Sequence, residues 1–501
     1  MIFIKLSLFL TSFTVKKYKF YGGMKMSYVL NENLPHQKYF EDISRIPRGS
    51  KNEKEVSDYI VAFGEKLGLG TKKDYMGNVI IYKNATDGYK DHPPVIIQAH
   101  LDMVCEKNGD CDHDFLKDPI NLYIEDGFVK AKGTTLGADD GYGVAVMMAI
   151  LEDTTLKHPP LEFVFTVQEE IGLVGAQALE AKDFHGKKLI NLDMGNDLLT
   201  NVSCSGGLRF HFFREMTMEK CQLPVYRLEI RGLYGGHSGG NIHLELGNSN
   251  KIASRVIYHL NNALGINLVD IDGGSKENAI PRECTVLFAT KEDFTKIESI
   301  VKAQEKIIKK ELEFSDAGLT ISVSEDKSDE MCQKDISDKI ITMFYLLPTG
   351  LKHRNIPLDV TAASQNFGVI KTENNTVKCT YSLRGALESY NDEGQEILIN
   401  FCKIFDFQWE SGFRYPAWEY VKESPLREAL KIAYKDFYNR EILEKATHGG
   451  LECGIFKKII PDIDIVTLGP QCFDAHTPTE RMNLESFDKF YSFLIKFVEK
   501  L

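Results

Sequence analysis

The chain has 501 residues, too many for one compact core, so two or three domains are expected. With 43% apolar and 26% charged residues it is no disordered chain, and a net charge of −12 without any Lys/Arg block argues against nucleic acid as a partner. Ten scattered cysteines with no CxxC pair exclude a disulfide scaffold and a zinc ribbon, and point to a reducing, cytoplasmic setting.

The first 25 residues stand apart, with five Lys and no acid. Their apolar run, Leu6–Val15, is far shorter than the roughly 20 residues that span a bilayer, so no membrane anchor is expected. Lys16, Lys17 and Lys19 follow where a signal peptide needs small residues for cleavage. Residues 1–25 therefore read as an extension outside the fold, with the working chain starting at Met24 or Met26. A secretory signal is the alternative reading.

From Pro35 to Leu67 the pattern is helical, with Val56, Tyr59, Ile60, Phe63 and Leu67 on one face. Val95–Ala99 reads as a strand, Gly143–Leu151 as a buried helix and Leu161–Val167 as a strand. Val174–Ala181 reads as a short helix and Leu189–Leu192 as a strand. Between about 206 and 415 the pattern changes. Tyr226–Arg231 and Thr376–Leu383 alternate more clearly, and long polar helices such as Thr295–Glu311 and Glu393–Ile404 follow strands. Asn278–Ala289 with its helix loosely resembles Asn366–Leu383 with its helix, which suggests two related halves. The α/β pattern then returns with the helix Pro425–Asn439, the strand Ile463–Leu468 and the helix Leu484–Glu499. The expected fold is an α/β mixed sheet with helices on both faces, over 26–205 and 416–501. An α+β domain over 206–415 interrupts it.

Chemistry gathers after the apolar strands. VIIQA runs into His100 and Asp102, LEFVFTVQ into Glu169 and Glu170, and LINL into Asp193. The Gly-rich loop Gly133–Gly143 carries Asp139 and Asp140 before a helix, and His476 follows IDIVTL by eight residues. Ligands bind at that edge of open α/β sheets, and carboxylates crowded there need a cation. Nitrogen and oxygen donors without thiolates suit a catalytic zinc-type site. Two ions would share one carboxylate, and the Asp of the Gly-rich loop suits that bridge. Asp102 can orient the His100 ring from behind. Of the Glu169–Glu170 pair, one can bind metal while the other takes a proton from the attacking water. Each element alone is common; their order is specific.

That ordered set resembles the dinuclear zinc exopeptidases that include aminoacylase, carnosinase and glutamate carboxypeptidase. The stretches AHLDMVCEKN, GTTLGADDGYGVA, QEEIGLVGA, NLDMGN, GLYGGHSGG and HGGLECGIF resemble the aminoacyl-histidine dipeptidase branch, over about Met26 to Leu501. The resemblance implies a zinc-exopeptidase-like fold whose inserted domain is a lid. It implies hydrolysis of dipeptides with an unblocked N-terminus, Xaa-His and others, by a water between two divalent ions. Zinc is the first choice, with cobalt or manganese as alternatives. His100, Asp139 and Asp193 match the ligands of one ion. Asp139, Glu170 and His476 match those of the other. Glu169 matches the general base and Asp102 the residue that orients His100. His237 resembles the lid histidine that polarises the scissile carbonyl. Arg384 resembles the clamp on the substrate carboxylate, and Gly449 and Gly450 a loop lining the substrate pocket. Asp140 is given no role. The small peptide is the expected partner, beside a second copy of the chain joined through the lid. A tripeptidase, an N-acyl amino acid deacylase and an inactive peptide-binding paralogue are the alternatives.

Overall fold

A computed structural model describes residues 27–501, so the reading of residues 1–25 lies outside the described residues. A six-stranded sheet has the order 70–73, 79–83, 161–166, 95–100, 188–191, 464–467. The first three strands pair antiparallel and the last four run parallel. Successive side chains on a strand point to opposite faces. Accordingly Val95, Ile97, Phe163, Phe165, Ile190 and Val466 enter one core, while Ile96, Val164, Leu189 and Ile465 enter another. The first core is covered by helices 35–44, 138–152, 425–438 and 484–498, the second by Phe184, Trp418 and the helix Cys453–Ile459. Burial on both faces explains why these strands read as continuous apolar runs.

Residues 206–415 build a separate nine-stranded antiparallel sheet, with its own core under helices 249–264, 294–311, 334–346 and 388–405. Its two parts join where Asp272 and Gly273 pair with Lys371 and Ile370. In each part a strand runs into a long helix, 284–289 into 294–311 and 376–385 into 388–405. The chain enters and leaves this segment side by side: Cys204 and Trp418 exchange both backbone hydrogen bonds, at 3.0 and 3.1 Å. Among the described residues no helix is long and apolar enough to cross a membrane.

Two sequence expectations change. The helical stretch Pro35–Leu67 is two helices, Pro35–Ser44 and Lys54–Lys66. Pro47 lacks the N–H a helix needs, and Gly49 packs so closely that a Cβ there would meet Cys105 Sγ at 2.4 Å. The short helix at Val174–Ala181 is only a 3₁₀ turn, Ala176–Ala178. Asn78 bonds both Val167 N–H and Gly175 C=O, and Gly175 N–H bonds Val167 C=O, so the segment folds back on its strand instead.

Candidate active site

The parallel strands deliver their acidic and imidazole groups to one edge. His100 ends its strand with its ring 1% exposed, and its Nε2 lies 3.0 Å from Asp139 Oδ1. Asp139 sits where the Gly-rich loop enters the helix Ala138–Glu152, in non-helical backbone. His476 Nε2 lies 3.1 Å from Glu170 Oε1 and 3.4 Å from Asp139 Oδ2. Donor atoms of His100, Asp139 and Asp193 lie within 4.8 Å of one another, as do those of Asp139, Glu170 and His476. Asp139 belongs to both sets. A third set joins His100 to Glu169 and Glu170.

Asp102 does more than expected. The strand stops at His100, and the His100 Nδ1 faces the Asp102 backbone carbonyl at 3.2 Å, with the carboxylate at 3.5 Å. That carboxylate also accepts Glu169 N–H at 3.0 Å, Glu170 N–H at 3.2 Å and Ser50 Oγ–H at 2.8 Å. It thus fixes the backbone of both glutamates. Asp140, fully buried, accepts His100 N–H and Gly143 N–H, tying the strand end to the helix start.

His237 and Arg384 lie together within residues 206–415: a Cβ on Gly239 would meet His237 Cε1 at 3.0 Å and Arg384 Cζ at 3.2 Å. His237 Nδ1 accepts Gly240 N–H at 2.9 Å, so a neutral ring carries its proton on Nε2. Burial, then the charges of Arg384 and His476, push the imidazole down to about 4, so it is neutral at pH 7. Arg384 donates to Tyr415 Oη at 2.8 Å, and its buried Nε has no partner among the described residues. A Cβ on Gly450 would strike the Tyr415 ring at 2.5 Å, and Gly449 C=O accepts Ser205 N–H at 3.1 Å. Arg384 and Gly450 thus meet at Tyr415.

The family model for "Peptidase family M20/M25/M40" matches residues 96–500. The chain belongs to this peptidase family. It is 34% identical over 471 residues to the cytosol non-specific dipeptidase of Escherichia coli K12, covering 92% of this chain and 96% of that one. It also superposes on the aminoacylhistidine dipeptidase of Vibrio alginolyticus with a TM-score of 0.83 and 32% identity, over 95% and 98% of the two chains. The aminopeptidase PepT of Bacillus cereus, at 16% identity and a TM-score of 0.52 over 94% of this chain and 99% of that one, shares the fold.

Within this M20 peptidase the donor set fits divalent cations. Burial and mutual repulsion push the carboxyls of Glu169, Glu170 and Asp193 above their ordinary range. Burial also opposes charge on Asp139, yet hydrogen bonds from His100 and His476 hold its carboxyl well below that range. Hydrogen bonds to Asp139 and Glu170 raise His476 in turn. The cluster demands positive charge that no Lys or Arg in it supplies.

Arg48 and Glu480, like Tyr415, escaped sequence reasoning. Arg48, 2% exposed, donates to the carbonyls of Leu101 and Asp102, each at 3.0 Å, and to Gly137. Glu480, also 2% exposed, accepts a run of N–H groups before Asp139. Their partners are backbone groups from distant segments, which leave no spacing signal in sequence.

Proposed function

We propose that this chain is a metal-dependent dipeptidase acting on peptides with an unblocked N-terminus, Xaa-His among a broad set. One observation carries the reading: two donor triads share Asp139, while Glu169 lies beside them and outside both. His100, Asp139 and Asp193 would hold one divalent ion, and Asp139, Glu170 and His476 the other, zinc before cobalt or manganese. Bound there, the ions supply Lewis acidity to the scissile carbonyl and acidity to water.

The chain's own groups do the rest. Glu169 takes a proton from the attacking water and passes it to the leaving amine, and its raised carboxyl suits a group that must carry that proton. The Nε2–H of His237 faces the developing oxyanion. The guanidinium of Arg384, tethered at one terminal nitrogen to Tyr415, takes the substrate's carboxylate, with Gly449 and Gly450 as the pocket wall. Residues 206–415 act as a lid between 26–205 and 416–501, rocking on the paired crossing at Cys204 and Trp418. We place the enzyme in the cytoplasm as a homodimer through this lid. The exposed edge strand Gln408–Tyr415 supports that assembly, and a sedimentation mass of one chain would refute it.

Glu169→Gln tests the core of the reading. Turnover should fall by roughly 10²–10⁴-fold, with about two ions per chain retained by elemental analysis. Chelation should abolish wild-type activity and zinc should restore it. Wild-type turnover in Glu169→Gln would remove the base from Glu169. Faster cleavage of tripeptides or N-acetyl amino acids than of dipeptides would reassign the substrate.

A further inference from the structure

The segment that supplies His476 also supplies a buried carboxylate that neither triad uses. Glu480 Oε2 accepts the N–H groups of Leu136 and Gly137 at 2.7 and 3.0 Å, and Oε1 those of Ala138 and Asp139 at 2.8 and 3.4 Å. These donors belong to the buried loop that runs into the non-helical backbone at Asp139 and Asp140, where unpaired N–H groups would be costly. From the other side Arg48 donates to Gly137 C=O. Gly137 is left-handed at φ +68°, and a Cβ on it would meet the Arg48 guanidinium at 2.6 Å. The loop before Asp139 is thus gripped between two buried, opposite charges.

This grip has a geometric consequence. Asp139 and Glu480 are 341 residues apart in sequence, yet Glu480 follows His476 by four residues on one short turn. Within that turn Glu480 N–H bonds Thr477 C=O at 3.1 Å and Thr477 Oγ–H bonds Asp474 C=O at 2.7 Å. The grip and the turn together set His476 Nε2 at 3.4 Å from Asp139 Oδ2.

We propose that Glu480 is a positioning residue that fixes Asp139 against His476 in the metal-free chain, so that the second ion's place exists before the ion arrives. The proposal rests on the reading that Asp139, Glu170 and His476 hold one ion. Glutamine at 480 keeps one acceptor oxygen and turns an NH₂ group toward backbone donors, which breaks half of the grip without changing its size.

The test is a zinc titration against a chromophoric chelator, with thermal unfolding of the same metal-free samples. In Glu480→Gln both ions should bind more weakly, because they share Asp139, with the larger loss, about 10–100-fold, for the ion that His476 holds. Glu162→Gln is the control. Glu162 is a buried carboxylate at the far end of the same sheet that accepts His185 N–H and Gly186 N–H. It should lose stability but bind both ions as wild type does. Wild-type affinity for both ions in Glu480→Gln, equal weakening of both, or the same loss in Glu162→Gln would overturn the proposal. His476→Ala separates the two readings: if it too binds both ions with full affinity, the ligand assignment fails instead. Hydrogen exchange on the unmutated, metal-free chain needs no variant. The amides of Leu136–Asp139 should already be protected, and protection that comes only with zinc would also overturn the proposal.

Discussion

Arg384, the proposed carboxylate clamp, has part of its hydrogen-bonding capacity already committed. One terminal nitrogen is held by Tyr415 Oη at 2.8 Å, and the Tyr415 ring is wedged so that a Cβ on Gly207 or Gly450 would lie 2.4 or 2.5 Å from it. The Arg384 Nε is buried without a partner among the described residues, so the guanidinium has donors that the tether does not use. A planar fork matches a carboxylate, which lysine would meet as a point charge. Arg384→Ala should therefore raise KM about 100-fold for dipeptides with a free carboxylate and leave their methyl esters little changed. Tyr415→Phe keeps the ring and deletes only the tether. It should raise the same KM by about tenfold, the scale of one hydrogen bond to a charged group. Steady-state kinetics on peptide and ester pairs checks both, and equal weakening of the two substrates would defeat the clamp.

At the scale of elements, the fold-back after the strand Leu161–Thr166 decides where Glu169 and Glu170 point. Gln168 is left-handed at φ +55°, and Gly172 N–H and Leu173 N–H return to Glu169 C=O. Gly175 closes the turn against Val167, and a Cβ there would lie 2.0 Å from the Val167 carbonyl oxygen. That obstacle is backbone, so it cannot rotate away. Gly175→Ala should cost about 1–3 kcal/mol and weaken zinc binding, because the turn that moves carries Glu170; thermal unfolding and metal titration read the two effects. Sequence periodicity located the helices and strands here because burial on one or two faces writes itself into residue spacing. It missed this turn, where Val174, Ala178 and Ala181 mimic a helix face while Asn78, nearly a hundred positions upstream, holds Gly175. It likewise joined two helices across Pro47, the break that delivers Arg48 beneath the site. His100, Asp139, Glu169, Glu170, Asp193 and His476 were readable because each follows a strand or glycine loop with its own pattern. Arg48, Tyr415 and Glu480 were not, because each acts on groups that only the tertiary fold brings near.

For the whole molecule, the question is what couples the two sheets. Besides the crossing at Cys204 and Trp418, one buried side chain spans the joint. His448, 6% exposed, bonds Ser205 Oγ at 2.8 Å through Nδ1 and Ser364 Oγ at 2.7 Å through Nε2. Ser364 lies in the strand Val360–Glu373 of the nine-stranded sheet, beside Arg384 in the ladder, while His448 follows a strand paired to residues 199–204. Burial, then the charge of Arg384, push the His448 imidazole down to about 3. In the unfolded chain it titrates near 6.5. Between those values the unfolded state binds more protons, so this residue makes stability rise with pH and fall as pH drops below about 6.5. The steepest slope one such group can give is about 1.4 kcal/mol per pH unit. His448→Asn keeps polar atoms near both serines and removes the titration. Urea unfolding of the metal-free chain at pH 7.0 and 5.0 should then show a larger loss in wild type than in His448→Asn. Carboxylates elsewhere titrate equally in both proteins, so the difference isolates His448. An identical loss in the two would mean that this joint tolerates a charged imidazole.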